Sequence, residues 1–167
     1  MPLVTAEDPL VALPMVTPFA ENDAVDYGAA ERNLERWQKT PIDAYIIGSQ
    51  SGEEFFLSFD EQLALVRLAA QMLDKPRFVI GGIDCPGVSE TLRRAEAFAN
   101  AGAAALRVRF PRGPSGVEAY FEELLPRSPL PVLLMHQSAP ERFGLAGPPA
   151  APPATLGRVT QMDGVFG

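Results

Sequence analysis

A chain of 167 residues, 47% hydrophobic and 21% charged, is long enough to bury one proper core, so residues 1–167 are expected to form a single domain. The formal net charge of -7 argues against a nucleic-acid partner, which would need a basic face, and one cysteine with one histidine excludes an internal disulfide and a structural zinc cluster. No apolar run reaches the ~18 residues of a membrane span, and "MPLVTAEDPLVALP" has no basic residue ahead of its apolar part, so no membrane contact and a cytoplasmic location are expected.

Along the chain, short runs rich in Val, Ile, Leu and Phe alternate with longer amphipathic stretches. The predicted strands are "VALPMVTPF", "DAYIIGS", "RFVIGGI", "AALRVRF", "PVLLMH" and the closing "GVFG". Between the first two, Tyr27, Ala30, Leu34 and Trp37 recur at helical spacing, as do Leu63, Val66, Ala70 and Leu73 after the second. Ser58 with Glu61, and Ser115 with Glu118, have the spacing of a capping box. A third helix carries Leu92, Ala95 and Ala99 as its buried stripe and stops at "NAG". The Pro-, Ala- and Gly-rich segment after His136 reads as a loop, with a short helix beginning near Pro152 and Pro153 and using Leu156 and Val159.

A strand returns about every thirty residues, the length of one strand-helix unit, and the strands are apolar enough to be buried on both faces of a parallel sheet. The fold class is therefore α/β. No G-x-G-x-x-G follows the first strand, which removes support for a dinucleotide-binding open sheet. Functional groups instead stand after successive strands: Thr17, then Gln50 and Ser51, then Gly81 and Gly82, then Met135 and His136. The C-terminal strand ends of a (β/α) barrel would bring these to one mouth. Six strands are counted, where a closed barrel of this type has eight.

Four blocks in order carry a family resemblance. "ALPMVTPFAENDAVDY" resembles the opening of the dihydrodipicolinate synthase and N-acetylneuraminate lyase superfamily, and "IDAYIIGSQSGEEFFLSFDEQ" resembles its second strand and G-T-T-G-E turn. "VIGGIDCPGVSETLRRAEAFANAGAAAL" is similar to its third strand, helix and fourth strand, and "RVTQMDGVFG" resembles the lead into its sixth. The resemblance implies a (β/α)8 TIM barrel and a lyase of the class I aldolase type. In such an enzyme a lysine on the sixth strand attacks pyruvate or a related 2-keto acid, and the imine formed acts as an electron sink. No cofactor and no metal are implied, the partner is the small keto acid, and homo-oligomers are frequent.

Carried over by residue, Gly52 and Glu53 match the end of the turn motif, and its threonines fall on Gln50 and Ser51. Gln50, Ser51 and Gly52, with Thr17, are the substrate-binding candidates, the turn's amides forming a nest for a carboxylate. Glu53 either belongs to this site or merely pairs or caps within the barrel. The family's fourth-strand tyrosine pair is replaced by "FPRGP" with Arg112, and its fifth-strand tyrosine by Met135. His136, whose unperturbed pKa of ~6.5 suits proton transfer, is the catalytic candidate in its place, against the plainer reading of a hydrogen-bonded strand-end histidine. Cys85 reads as a loop thiol or, less simply, a nucleophile.

The Schiff-base lysine is absent through Gly167; Lys39 and Lys75 fall at the wrong face of a barrel, and every other basic residue is arginine. The expectation is thus an N-terminal part of a TIM barrel, inactive by itself. Two other readings stand beside it: a non-catalytic barrel relative serving as a binding or regulatory module, and an enzyme of another class using Glu53, His136 and Arg112 without an imine.

Overall fold

The computed structural model describes residues 9–85, 87–111, 116–136 and 151–167. Five strands, β1 (Ala12–Pro14), β2 (Ala44–Ile47), β3 (Phe78–Ile83), β4 (Ala105–Arg109) and β5 (Val132–Met135), form one sheet in the order of the chain. Every pairing is parallel. A doubly wound sheet reverses its strand order partway; this sheet does not, and it curls as half of a barrel. The expected sixth strand begins to form: Val165 bridges Val132, and Leu134 N–H donates to Gly167 O at 2.7 Å.

The helices are α1 (Tyr27–Trp37), α2 (Phe59–Met72), α3 (Val88–Asn100), α4 (Val117–Leu124) and α5 (Pro153–Val159). Asp26 caps α1 by accepting from Ala29 N–H at 2.8 Å. The Ser58–Glu61 capping box forms in full at the start of α2. Gly102, at φ +101, ends α3 in a left-handed conformation that a side chain would resist. No described helix is long and apolar enough to cross a membrane.

Period-two alternation splits the strands between two apolar clusters. Ala44, Ile46, Ile80 and Ala105, with Phe78 and Leu133, pack on the concave side. Tyr45, Val79, Ile83, Leu106, Val108 and Val132 meet the helices on the other. Gly81 is needed on the helix side, because a Cβ there would lie 2.6 Å from the ring of Phe98 in α3.

Four expectations are corrected. β1 is shorter than "VALPMVTPF": its ladder with β2 ends at Pro14, and the chain beyond continues only through Met15 N–H to Ile46 O at 2.9 Å. The buried face of α2 is Gln62, Leu65, Val66 and Ala69, rotated from the predicted stripe. That helix is apolar on most sides, and the Gln62 amide, donating to Glu54 O at 3.1 Å, turns its own face inward. In α3, Thr91 and Phe98 flank Ala95 in place of Leu92 and Ala99. At α4 the cap position is Gly116, Ser115 lies outside the described residues, and Glu118 is engaged by Arg158 of α5 at 2.5 and 2.8 Å.

Gly82 has the least room in the sheet. A Cβ there would stand 1.7 Å from Gly48 O and 2.6 Å from Arg107 Nη2. Gly82→Ala is therefore expected to cost about 3 kcal/mol or more, at the upper end of overpacking penalties; the unfolding midpoint in urea would show it.

Candidate functional site

Beyond β2 the chain must turn sharply, and it does so with Gly48 at φ +82, a 3-10 turn over Gln50–Gly52 and Glu53 at φ 61. The N–H groups of Gly52 and Glu54 both donate to Ser49 O, at 2.9 and 3.1 Å, and that of Glu53 donates to Gln50 O at 3.1 Å. Those of Gln50 and Ser51 take no part in these bonds. Thr17 Oγ1 donates to Gly52 O at 2.7 Å, so the structure brings two of the candidates together, with the threonine hydroxyl committed to fixing the turn. Ser51 is exposed and Gln50 half-buried at the same turn.

The left-handed residue decides which carboxylate turns inward. Glu53, matched by the motif, is exposed; Glu54, one residue on, is buried. Its Oε1 accepts from Arg109 Nη2 at 2.6 Å and its Oε2 from Arg107 Nη2 at 2.8 Å, among side chains only 4 to 6% exposed. Arg107 Nη2 also donates to Gly48 O, and its Nη1 to Met135 Sδ at 2.8 Å. Arg109 Nε stands 3.4 Å from Asp84 Oδ2. Burial lowers the Arg107 pKa from its ordinary value, and the Glu54 carboxylate opposes the shift. An open cleft of about 190 Å³ adjoins the cluster, with Glu54, Gly82, Asp84 and Arg94 in its walls.

Arg107, Arg109, Glu54 and Asp84 were not singled out from the sequence. The signal was present in "ALRVRF": two arginines at i and i+2 share one face of an apolar, buried strand, and such a face must be supplied with acids.

Met135 lies next to Arg107 as the sulfur contact requires. His136, its neighbour, is not brought to the cluster. Its ring meets Phe110 edge-on at 5.2 Å, and Phe110 packs on Phe121 of α4 at 5.1 Å, which puts the imidazole with the helix-side aromatics. Its Nε2 has no hydrogen-bond partner among the described residues. Arg112 lies outside the described residues. Cys85 is buried, and burial pushes its thiol pKa up more than Arg94 pulls it down. No three His, Cys, Asp or Glu side chains gather into a metal-binding group among the described residues.

A sequentially wound parallel sheet, with polar groups gathered where its strands end, defines the (β/α)-barrel class. Within that class the chain belongs to the dihydrodipicolinate synthetase family, whose model matches residues 10–166. The 4-hydroxy-tetrahydrodipicolinate synthase of Archaeoglobus fulgidus is 27% identical over 157 residues, which are 92% of this chain and 51% of that protein. The dihydrodipicolinate synthase of Bacillus anthracis superposes with a TM-score of 0.79 at 22% identity, over 93% of this chain and 53% of that one. A prophage protein of the family from E. coli K12, solved in complex with pyruvate, gives 0.70 at 23% identity, over 78% and 45%. The chain spans about half the length of the relatives it matches.

Two outcomes follow from the geometry. Glu54→Ala, by leaving two buried guanidinium groups without their shared carboxylate, is expected to lose about 3–5 kcal/mol of stability in urea unfolding, and Glu54→Gln less. Cys85, held as the thiol at neutral pH, should alkylate with iodoacetamide far more slowly in the native protein than in 8 M urea, a concentration of about the usual unfolding strength.

Proposed function

We propose that the complete protein is a carbon-carbon lyase of the class I aldolase type, taking pyruvate or a related 2-keto acid through an imine to a lysine. The observation that supports this best is the family match over residues 10–166, together with a formed 48–54 turn at the C-terminal end of β2. In this reading the turn holds the keto acid's carboxylate through Ser51 and the Gln50 and Ser51 amides, with Gly52 and Thr17 fixing its shape. A protonated imine withdraws electrons from the adjacent carbon, so the carbon-carbon bond there breaks or forms at low cost.

Lys39 follows α1 and Lys75 precedes β3, at the strand ends opposite the turn. The reading therefore requires a lysine that residues 1–167 do not supply at the strand ends beside the turn, and it takes those residues to be inactive by themselves. Met135 cannot transfer a proton, so the family's tyrosine relay does not operate at that position, and His136 would have to act from the Phe110 side. Small-acid binding in a homo-oligomer, in the cytoplasm and without a cofactor, completes the proposal.

Met135 and the buried Arg107–Glu54 pair also favour a second reading, a barrel that binds an acid without turning it over. Borohydride reduction of the complete native protein with pyruvate separates the two. One lysine carrying a reduced adduct, located by mass spectrometry, is expected for the lyase; no adduct with pyruvate or any other 2-keto acid would leave the binding module standing.

A further inference from the structure

Arg107 makes poor use of its hydrogen-bonding capacity. A guanidinium has five N–H donors and stays charged in a protein interior. Here Nη2 is well used by Gly48 O and Glu54 Oε2, but Nη1 has only the thioether of Met135, a weak acceptor, and Nε has no partner among the described residues. The whole side chain is 3% exposed. A buried charged donor without an acceptor is costly, and native structures rarely leave one without a reason. Ser49 Oγ, adjoining the carbonyl that Arg107 grips, is likewise buried and unpartnered among the described residues. Arg109 differs, since Glu54 and Asp84 both engage it.

The weakly served donor Nη1 faces Met135, whose side chain is half-buried and flexible, so an oxygen taking the sulfur's place requires a thioether to move and no backbone. What such a donor rewards is an anionic oxygen in place of the thioether, because an N–H bond to an ionised acceptor is stronger than one to a weak neutral acceptor.

We propose that Arg107 is a carboxylate ligand of this site: a small 2-keto or 2-hydroxy acid sets a carboxylate oxygen on Arg107 Nη1, beside the 48–54 turn, displacing the Met135 sulfur. The assignment rests on the reading of the site as one for a small organic acid and adds to it the residue that supplies the positive charge. Glu54 is then the competitor for the Arg107 donors. Arg107 and Arg109 balance Glu54 and Asp84 in formal charge, so a bound carboxylate adds one negative charge, which the lysine ammonium or imine of the proposed reaction offsets.

Calorimetric titration of the complete native protein with lactate tests this, because lactate has the carboxylate and cannot form an imine. Saturable binding is expected, weakened about tenfold or more in Arg107→Met and less in Arg107→Lys, as loss of a charge-assisted contact requires. Glu54→Gln, which frees Arg107 while keeping the shape, should tighten lactate by roughly threefold or more. No binding to the native protein, unchanged affinity in a folded Arg107→Met, or unchanged or weaker affinity in Glu54→Gln would each overturn the assignment. Should Arg107→Met not fold, the Glu54→Gln titration decides alone. An Arg107-dependent lactate site in a protein that traps no pyruvate removes the imine and keeps the ligand; a trapped adduct with lactate affinity indifferent to Arg107 does the reverse.

Discussion

Burying the Arg107 guanidinium inside a parallel half-barrel is the constraint that organises the mouth of this molecule. Taking such a cation from water costs several kcal/mol even after relaxation, and only close acceptors recover it. Each local feature nearby answers that demand. Gly82 leaves the volume the guanidinium crosses, Gly48 turns its carbonyl toward it, and the left-handed Glu53 swings the next residue, Glu54, under both arginines. Gln62 on α2 and Thr17 after β1 then tie down the turn that carries Glu54.

A buried ion cluster is weak evidence of stability, since apolar side chains of similar volume often serve as well or better. Its effect is on geometry. The cluster links residues from the loops after β2 and β3 to two positions on β4, so the sheet's C-terminal edge is held by charge where its lower layers are held by Ile46, Ile80 and Phe78. Such an edge holds its charges in place without moving the backbone, which is a form of preorganisation.

The two sides of the sheet also separate tasks that adjacent residues seemed to share. Met135 and His136 are neighbours in sequence and belong to opposite faces, one against Arg107 and the other against Phe110. Glu53 and Glu54 are separated in the same way, by one left-handed residue. At both places the residue singled out along the chain is the neighbour of the one that reaches Arg107.

Local chemistry was enough to determine what depends on it. The periodicity from Tyr27 to Trp37, the hydroxyl and carboxylate of Ser58 and Glu61, and the glycine after Asn100 placed helices and their ends, because helical spacing and capping act over a few residues. The regular return of apolar strands gave the parallel α/β class, and the blocks around "TPF" and "SGE" gave the family. The buried face of α2, where apolar residues run most of the way round, depended on a glutamine meeting a carbonyl eight residues back in the chain. The pairing of Glu54 with arginines 53 and 55 residues away depended on the curl of the sheet. Charges so distant in sequence carry no periodic signal. Only the fold that puts them in contact, away from water, makes each necessary to the other.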